Sequence, residues 1–168
     1  MKSLTGPVFA LVILSFATAC SRAQAPPPPL APPQEPAVIF PDGFAVQVDL
    51  ATTPEQQANG LMYVDYLPPD RGMLFLFQDD ERRPFWMKNC LIALDLVWLD
   101  EQFRVVDISA NVQPCKADPC PNIFPSRAIR NVLEVQAGLC AAHHLVPGDR
   151  LVVVGLPALP AAPPGGPG

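Results

Sequence analysis

An α+β domain of predominantly antiparallel β-structure, compact, partly closed like a barrel and carrying two short helices, is the fold this sequence predicts. Three observations predict it: period-two alternation of apolar residues, short apolar runs bounded by turn residues, and just two places with helix-start or helix-stop signals. Phe44, Val46, Val48 and Leu50 alternate with Ala45, Gln47 and Asp49, the pattern of a strand with one buried face. Thr53 then precedes Pro54-Glu55-Gln56, giving a cap residue, a proline at the first helical position and an early acid, and Gly60 ends that first helix. Residues 73–77 (MLFLF) form a continuous apolar run, which suits a strand buried on both faces. Residues 94–99 and 103–108 flank Asp100-Glu101-Gln102 and read as a hairpin. Ile129, Leu133 and Val135 lie in a strand-like run that starts at Ala128, and residues 151–154 (LVVV) make a last strand. A second helix is expected from Gln136 to Leu145, rich in Ala and closed by Pro147-Gly148. Many short strands with two small helices define the β-rich class.

The segments outside this domain differ from it in composition. Of 168 residues 23 are Pro, and seven of these fall in residues 24–36, a stretch with almost no charge. It cannot support a helix or a sheet ladder and is expected to run as an extended spacer. Residues 157–168 (PALPAAPPGGPG) have the same character. Ahead of the spacer, Lys2, the apolar run at residues 8–16 and the small residues Ala17, Thr18 and Ala19 are the parts of a secretory signal. The run falls short of the roughly 20 apolar residues that a spanning helix needs. Cys20 follows directly, as in a lipobox, although Ala17 stands where lipoboxes favour Leu; the alternative is ordinary cleavage with Cys20 free. Ser21 after the cysteine resembles an outer-membrane sorting signal. The expected organisation is thus a signal over 1–19, a lipidated proline-rich linker over 20–37, one globular domain over 38–156 and a tail over 157–168. The membrane is the first expected partner, through lipid on Cys20. A net charge of −5 with no basic cluster argues against nucleic acid, and no motif calls for a cofactor.

With Cys20 assigned to lipid, Cys90, Cys115, Cys120 and Cys140 remain, and four cysteines in an oxidising compartment allow three disulfide connectivities. Cys115 and Cys120 enclose Lys116-Ala117-Asp118-Pro119, so a local bridge is sterically easy, and Cys90 with Cys140 is then the remaining pair. A zinc site built from Cys115, Cys120, His143 and His144 is the alternative, at a spacing unlike common zinc patterns.

The runs Gly60-Leu61-Met62-Tyr63, Gly72-Met73-Leu74-Phe75 and Phe85-Trp86-Met87-Lys88-Asn89 resemble the uncharacterised domain-of-unknown-function family 192, together with Leu94-Asp95, Leu133-Glu134-Val135, Ala137-Gly138 and Pro147-Gly148-Asp149. The resemblance spans about residues 44–155. It implies a small β-rich fold and frequent export with a lipid anchor, and it implies no known reaction. Val64 stands where such proteins carry Arg, Cys90 where they carry Thr, and Ala93 where they carry Pro; the missing Arg weakens any anion-binding role.

Two functional readings follow. In the first, the domain is a non-catalytic module of the cell envelope that binds a polymer or a protein through Trp86, Lys88 and Asn89, where aromatic faces adjoin a donor and an amide. The plain alternative places Trp86 and Met87 in the core with Lys88 snorkelling outward. In the second, Asp95 and Glu134 act as acid and base of a polysaccharide or cell-wall hydrolase, which needs two carboxyls about 5–10 Å apart. Each of these acids sits between apolar neighbours; if buried, Asp95 needs hydrogen bonds or a cation, with Lys88 and Arg127 as candidates. The sequence contains no Gly-x-Ser-x-Gly elbow and no His-Glu-x-x-His helix, and a disulfide is a more economical use of Cys90 than a nucleophile.

Overall fold

The computed structural model describes residues 35–157. The expected signal, Cys20 with its lipid, most of the proline-rich linker and the tail from residue 158 onward lie outside the described residues. Among the described residues no helix is long and apolar enough to cross a membrane.

Seven strands and two helices follow in the order β1 (Ala37–Ile39), β2 (Ala45–Ala51), α1 (Pro54–Asn59), β3 (Arg71–Glu81), β4 (Leu94–Leu99), β5 (Val105–Val112), β6 (Ile129–Gln136), α2 (Leu139–Ala142) and β7 (Val152–Val154). The strands form one sheet in the order β5-β4-β6-β3-β2-β1-β7. Every pairing is antiparallel except β2 with β3, which α1 connects. The two edges approach each other at the bridge between Arg104 and Arg150, where Val105 N–H donates to Asp149 O (2.8 Å) and Leu151 N–H to Phe103 O (3.0 Å). The sheet is therefore a half-barrel, the partly closed form the sequence predicts.

Alternation along the central strands splits the core between the two faces of the sheet. Leu74 and Leu76 of β3, Val97 and Leu99 of β4, and Leu133 and Val135 of β6 point to one face, where Val38, Phe40, Val46, Leu139 and Cys140 pack against them. Phe75, Leu94, Leu96, Trp98 and Val132 point to the other, with Ala51, Leu61, Leu67, Met87, Cys90 and Ile129. The central strand β4 is buried at every position, which is why its sequence is nearly all apolar.

The first helix forms as the sequence predicts. Thr53 Oγ1 accepts from Gln56 N–H (3.3 Å) and Gln56 Oε1 accepts from Thr53 N–H (3.1 Å), a reciprocal cap that satisfies two otherwise free amides. The second helix is shorter than the sequence predicts. Strand β6 runs through Gln136, and Gly138 takes φ +88°, so only Leu139–Ala142 remain helical. Gly72 has a packing reason: a Cβ there would lie 2.6 Å from the Glu134 carbonyl oxygen, so only glycine lets β3 approach β6 this closely.

Candidate functional site

Asp95 and Glu134 lie on adjacent paired strands, with Asp95 opposite Val135 and Leu96 opposite Glu134. Their side chains leave the sheet on opposite faces. Asp95 shares its side with Val97 and Leu99, and Glu134 shares its side with Val132. No single pocket holds both, so the paired-carboxylate hydrolase arrangement is overturned.

Asp95 is fully buried, and its oxygens accept from three backbone amides: Asn111 (2.7 Å), Cys140 (3.0 Å) and Gly138 (3.1 Å). Two of these amides open α2. The carboxylate thus ties the β5 end and the α2 start to β4, and neither Lys88 nor Arg127 serves as its partner. This is a structural role with its hydrogen-bonding capacity largely spent.

Glu134 is 5% exposed, and its Oε2 has no hydrogen-bond partner. Burial pushes its carboxyl up to about 8, against a smaller opposing pull from the Leu61 backbone, so it is mostly neutral at pH 7. It lines a cavity of about 320 Å³ with Leu61, Phe75, Phe77, Phe85, Trp86, Cys90 and Arg83 among its walls. The buried residues Leu61, Phe75, Cys90 and Glu134 form the floor, and Trp86, 46% exposed, stands at the rim. Phe85 meets Phe75, Phe77 and Trp98 edge-on at centroid distances of 5.1, 6.4 and 5.3 Å, giving a rigid aromatic wall. At Gly60 (φ +48°) a Cβ would lie 3.2 Å from Phe75 Cζ and 3.5 Å from Glu134 Oε2, so glycine keeps this part of the floor open. Gln57 of α1 donates to Leu76 O (2.9 Å) and holds the helix side of the cavity against β3.

Arg83 completes the site. Its guanidinium lies 4.3 Å from the Phe77 ring centroid and pairs with Asp79 and, at 2.8 Å, with Glu81. Its Nε is buried and unpartnered. Among the described residues, Arg83 Nε and Glu134 Oε2 are the two buried side-chain polar atoms without a hydrogen-bond partner, and both residues line this one cavity.

Of the three expected binding residues, Trp86 lies at the cavity and is not a core residue, whereas Met87 is. Lys88 places Nζ 5.8 Å from the Trp86 ring centroid and does not line the cavity. Asn89 does not line it either. It takes φ +58°, its carbonyl accepts from Tyr63 N–H (2.9 Å), and its side-chain amide contacts Met62 Sδ (3.6 Å). It thereby clamps the loop after Gly60 to the loop carrying Trp86.

Cys115 and Cys120 form the expected local disulfide, which commits to each other the two sulfurs of the considered zinc site. Its two histidines sit elsewhere: His143 Nδ1 is 2.7 Å from Asp42 Oδ2 and its ring stacks on Phe44. Among the described residues no group of three or more potential ligands is arranged to hold a metal. The expected bridge between Cys90 and Cys140 is not formed; both are buried free thiols. The sheet separates them, since Cys90 packs on the Glu134 face and Cys140 on the Asp95 face. Burial, and secondarily the nearby Glu134, push the Cys90 thiol up to about 11; burial and the Asp95 charge push Cys140 higher still. Neither is an activated nucleophile.

Fold and site together define a small half-barrel β-domain with an aromatic cavity on one face of its sheet. The chain belongs to family DUF192, described as an uncharacterized ACR, which it matches over residues 37–153. It is similar to a solved structure from Sinorhizobium meliloti described as a "putative transcription regulator", with 33% identity, a TM-score of 0.64, and coverage of 72% of this chain and 93% of that one. It is also similar to a protein of unknown function from Novosphingobium aromaticivorans, with 31% identity, a TM-score of 0.63, and coverage of 70% of this chain and 82% of that one. No curated protein matches.

Proposed function

We propose that the chain is an exported lipoprotein, anchored through Cys20, whose domain is a non-catalytic binding module of the cell envelope. Its cavity beneath Trp86 takes a projecting group of a polymer or protein. One observation carries this reading: a half-exposed Trp86 stands at the rim of an aromatic-walled cavity of about 320 Å³ that also holds a buried carboxyl. Catalysis has no support in the arrangement, since the acid on the far face of the sheet is held by backbone amides and the cavity thiol is protonated. The acidic balance of −5 supports an envelope ligand over the phosphate backbone of nucleic acid.

Retention of the full-length protein, purified in detergent, on peptidoglycan, on glycan arrays and on immobilised envelope proteins tests the proposal. Trp86→Ala is expected to abolish retention while its unfolding midpoint stays near wild type, because the ring is half exposed. Retention that is indifferent to Trp86→Ala and to Glu134→Met would refute it. Metabolic labelling with a fatty acid, lost in Cys20→Ser, tests the anchor separately.

A further inference from the structure

Two loops that cover the cavity face of the sheet carry the three most exposed large apolar side chains among the described residues: Tyr63 (70%), Tyr66 (67%) and Leu91 (57%). Their loop neighbours Leu61, Leu67, Met87 and Cys90 point inward to the core of that face, so the exposed three point away from it. Tyr63 N–H donates to Asn89 O (2.9 Å), two residues before Leu91, and this bond clamps the loops together. It also holds Tyr63 at φ +64°, a conformation unfavourable for a bulky side chain. None of the three lines the cavity.

Tyrosine joins an apolar ring to a hydroxyl that stays wet, the composition of membrane-interface belts, and leucine adds a purely apolar contact. Together the three present on the order of 400 Å², short of the roughly 800 Å² per partner that a stable protein interface buries. Such a patch is too small to hold a free partner and sufficient for a surface to which the chain is already tied. The chain enters the domain beside it. On the two sides of β2, Val48 N–H donates to Pro36 O (2.9 Å) and Gln47 N–H donates to Asp70 O (2.8 Å), so the entry at Pro36 is one strand away from the end of the loop with Tyr63 and Tyr66. Residues 21–34, between Cys20 and the described domain, span at most about 50 Å, so a lipid on Cys20 keeps the patch within reach of the bilayer. A net charge of −5, with Asp65 and Asp70 in the same loop, gives no attraction to anionic headgroups, which leaves the boundary between headgroups and acyl chains as the surface this patch fits.

We propose that Tyr63, Tyr66 and Leu91 form a membrane-docking patch that rests in the interface of the bilayer carrying the Cys20 anchor and turns the β4–β5 hairpin, at the other end of β4, away from it. The proposal rests on the anchored-lipoprotein reading and goes beyond the cavity.

Tryptophan fluorescence of the full-length protein, reconstituted from detergent into phosphatidylcholine vesicles with brominated acyl chains, tests the docking. Two reporters are compared in a Trp86→Phe background, where the remaining Trp98 is fully buried. One is Leu91→Trp in the patch, and the other is Gln102→Trp in the turn beyond the far end of β4 (Leu94–Leu99), about 20 Å or more away. Bromine is expected to quench Leu91→Trp at least about threefold more than Gln102→Trp. Adding Tyr63→Asn, a residue that suits the positive φ, together with Tyr66→Ser is expected to abolish that difference while the unfolding midpoint stays near that of the parent reporter. Equal quenching at the two positions, or a difference that survives the loss of both tyrosines, would overturn the docking. An unquenched Leu91→Trp on vesicles that carry the protein would overturn it and leave the anchor standing; protein that does not stay with the vesicles would remove both. If the two tyrosine substitutions abolish retention on immobilised envelope proteins while Leu91→Trp stays unquenched, the patch belongs to a protein partner and the membrane assignment falls.

Discussion

Asp95 and Glu134 look alike in sequence and differ completely in the folded protein. Each is an acid between two apolar residues in a central strand, each is buried, and their strands are hydrogen-bonded neighbours. On one face of the sheet, Asp95 spends its charge on three backbone amides that would otherwise be orphaned at a helix start and a strand end. On the other, Glu134 lines a cavity whose rim carries a half-exposed tryptophan, and its occluded Oε2 has no partner. A buried carboxyl with its partners in place is architecture. A buried carboxyl beside a cavity, with one oxygen left without a partner, is costly to keep charged. The difference is a matter of hydrogen-bond accounting, and it separates the two acids where burial alone does not.

The sharpest way to break this comparison is at Asp95. Asp95→Ala strips acceptors from three amides and is expected to cost on the order of 5 kcal/mol, enough to leave the domain largely unfolded. Urea denaturation measures it, and a loss below about 1 kcal/mol would mean that water or other groups replace the carboxylate. Glu134 behaves in the opposite sense. Its folded value of about 8 lies above the 4.5 of an unperturbed Glu. Between these limits the folded state holds a proton that the unfolded state has released, so stability is highest at low pH and falls as pH rises from about 4.5 to about 8. The total decline attributable to this one group is on the order of 5 kcal/mol. Glu134→Gln is expected to flatten that part of the pH–stability curve, and an unchanged slope would exclude Glu134 as its source. The smallest effect is expected at the disulfide. Cys115→Ser with Cys120→Ser opens a short loop and is expected to cost about 2 kcal/mol on the chain-entropy account. Because Ile123 of the same loop exchanges backbone hydrogen bonds with Phe85, ligand affinity is expected to fall with it. Peptide mapping of the oxidised protein checks the accompanying redox assignment, a bridge between Cys115 and Cys120 with Cys90 and Cys140 reduced.

Much of the fold was legible because alternation has few readings. The strands at 45–51, 94–99 and 129–136 follow their apolar periods, and the first helix follows Thr53, Pro54 and Gly60. Strand β1 was not legible, since three residues carry no period. The second helix was overextended because its Ala-rich run hides the turn that Gly138 makes. At the site, Trp86 and Glu134 are visible in sequence as unusual residue types in their places, but the faces they take depend on strand register. Alternation puts Glu134 with Val132 and Asp95 with Val97, and the register of β4 against β6 sends the two pairs to opposite faces. Arg83 was hidden among Asp79, Asp80, Glu81 and Arg82, where a charge run reads as a solvated face. Its burial comes from packing on Phe77, which local pattern does not reveal. An even cysteine count pairs Cys90 with Cys140 by default, but the sheet lies between them.

Carbon-13 detection of the Glu134 side-chain carboxyl across a pH series tests most directly whether burial dominates the environment of this acid. The account predicts a midpoint near 8 in the free protein. A midpoint at the 4.5 of an ordinary glutamate would mean that the carboxyl is hydrated or paired, and the cavity would lose the group that defines it.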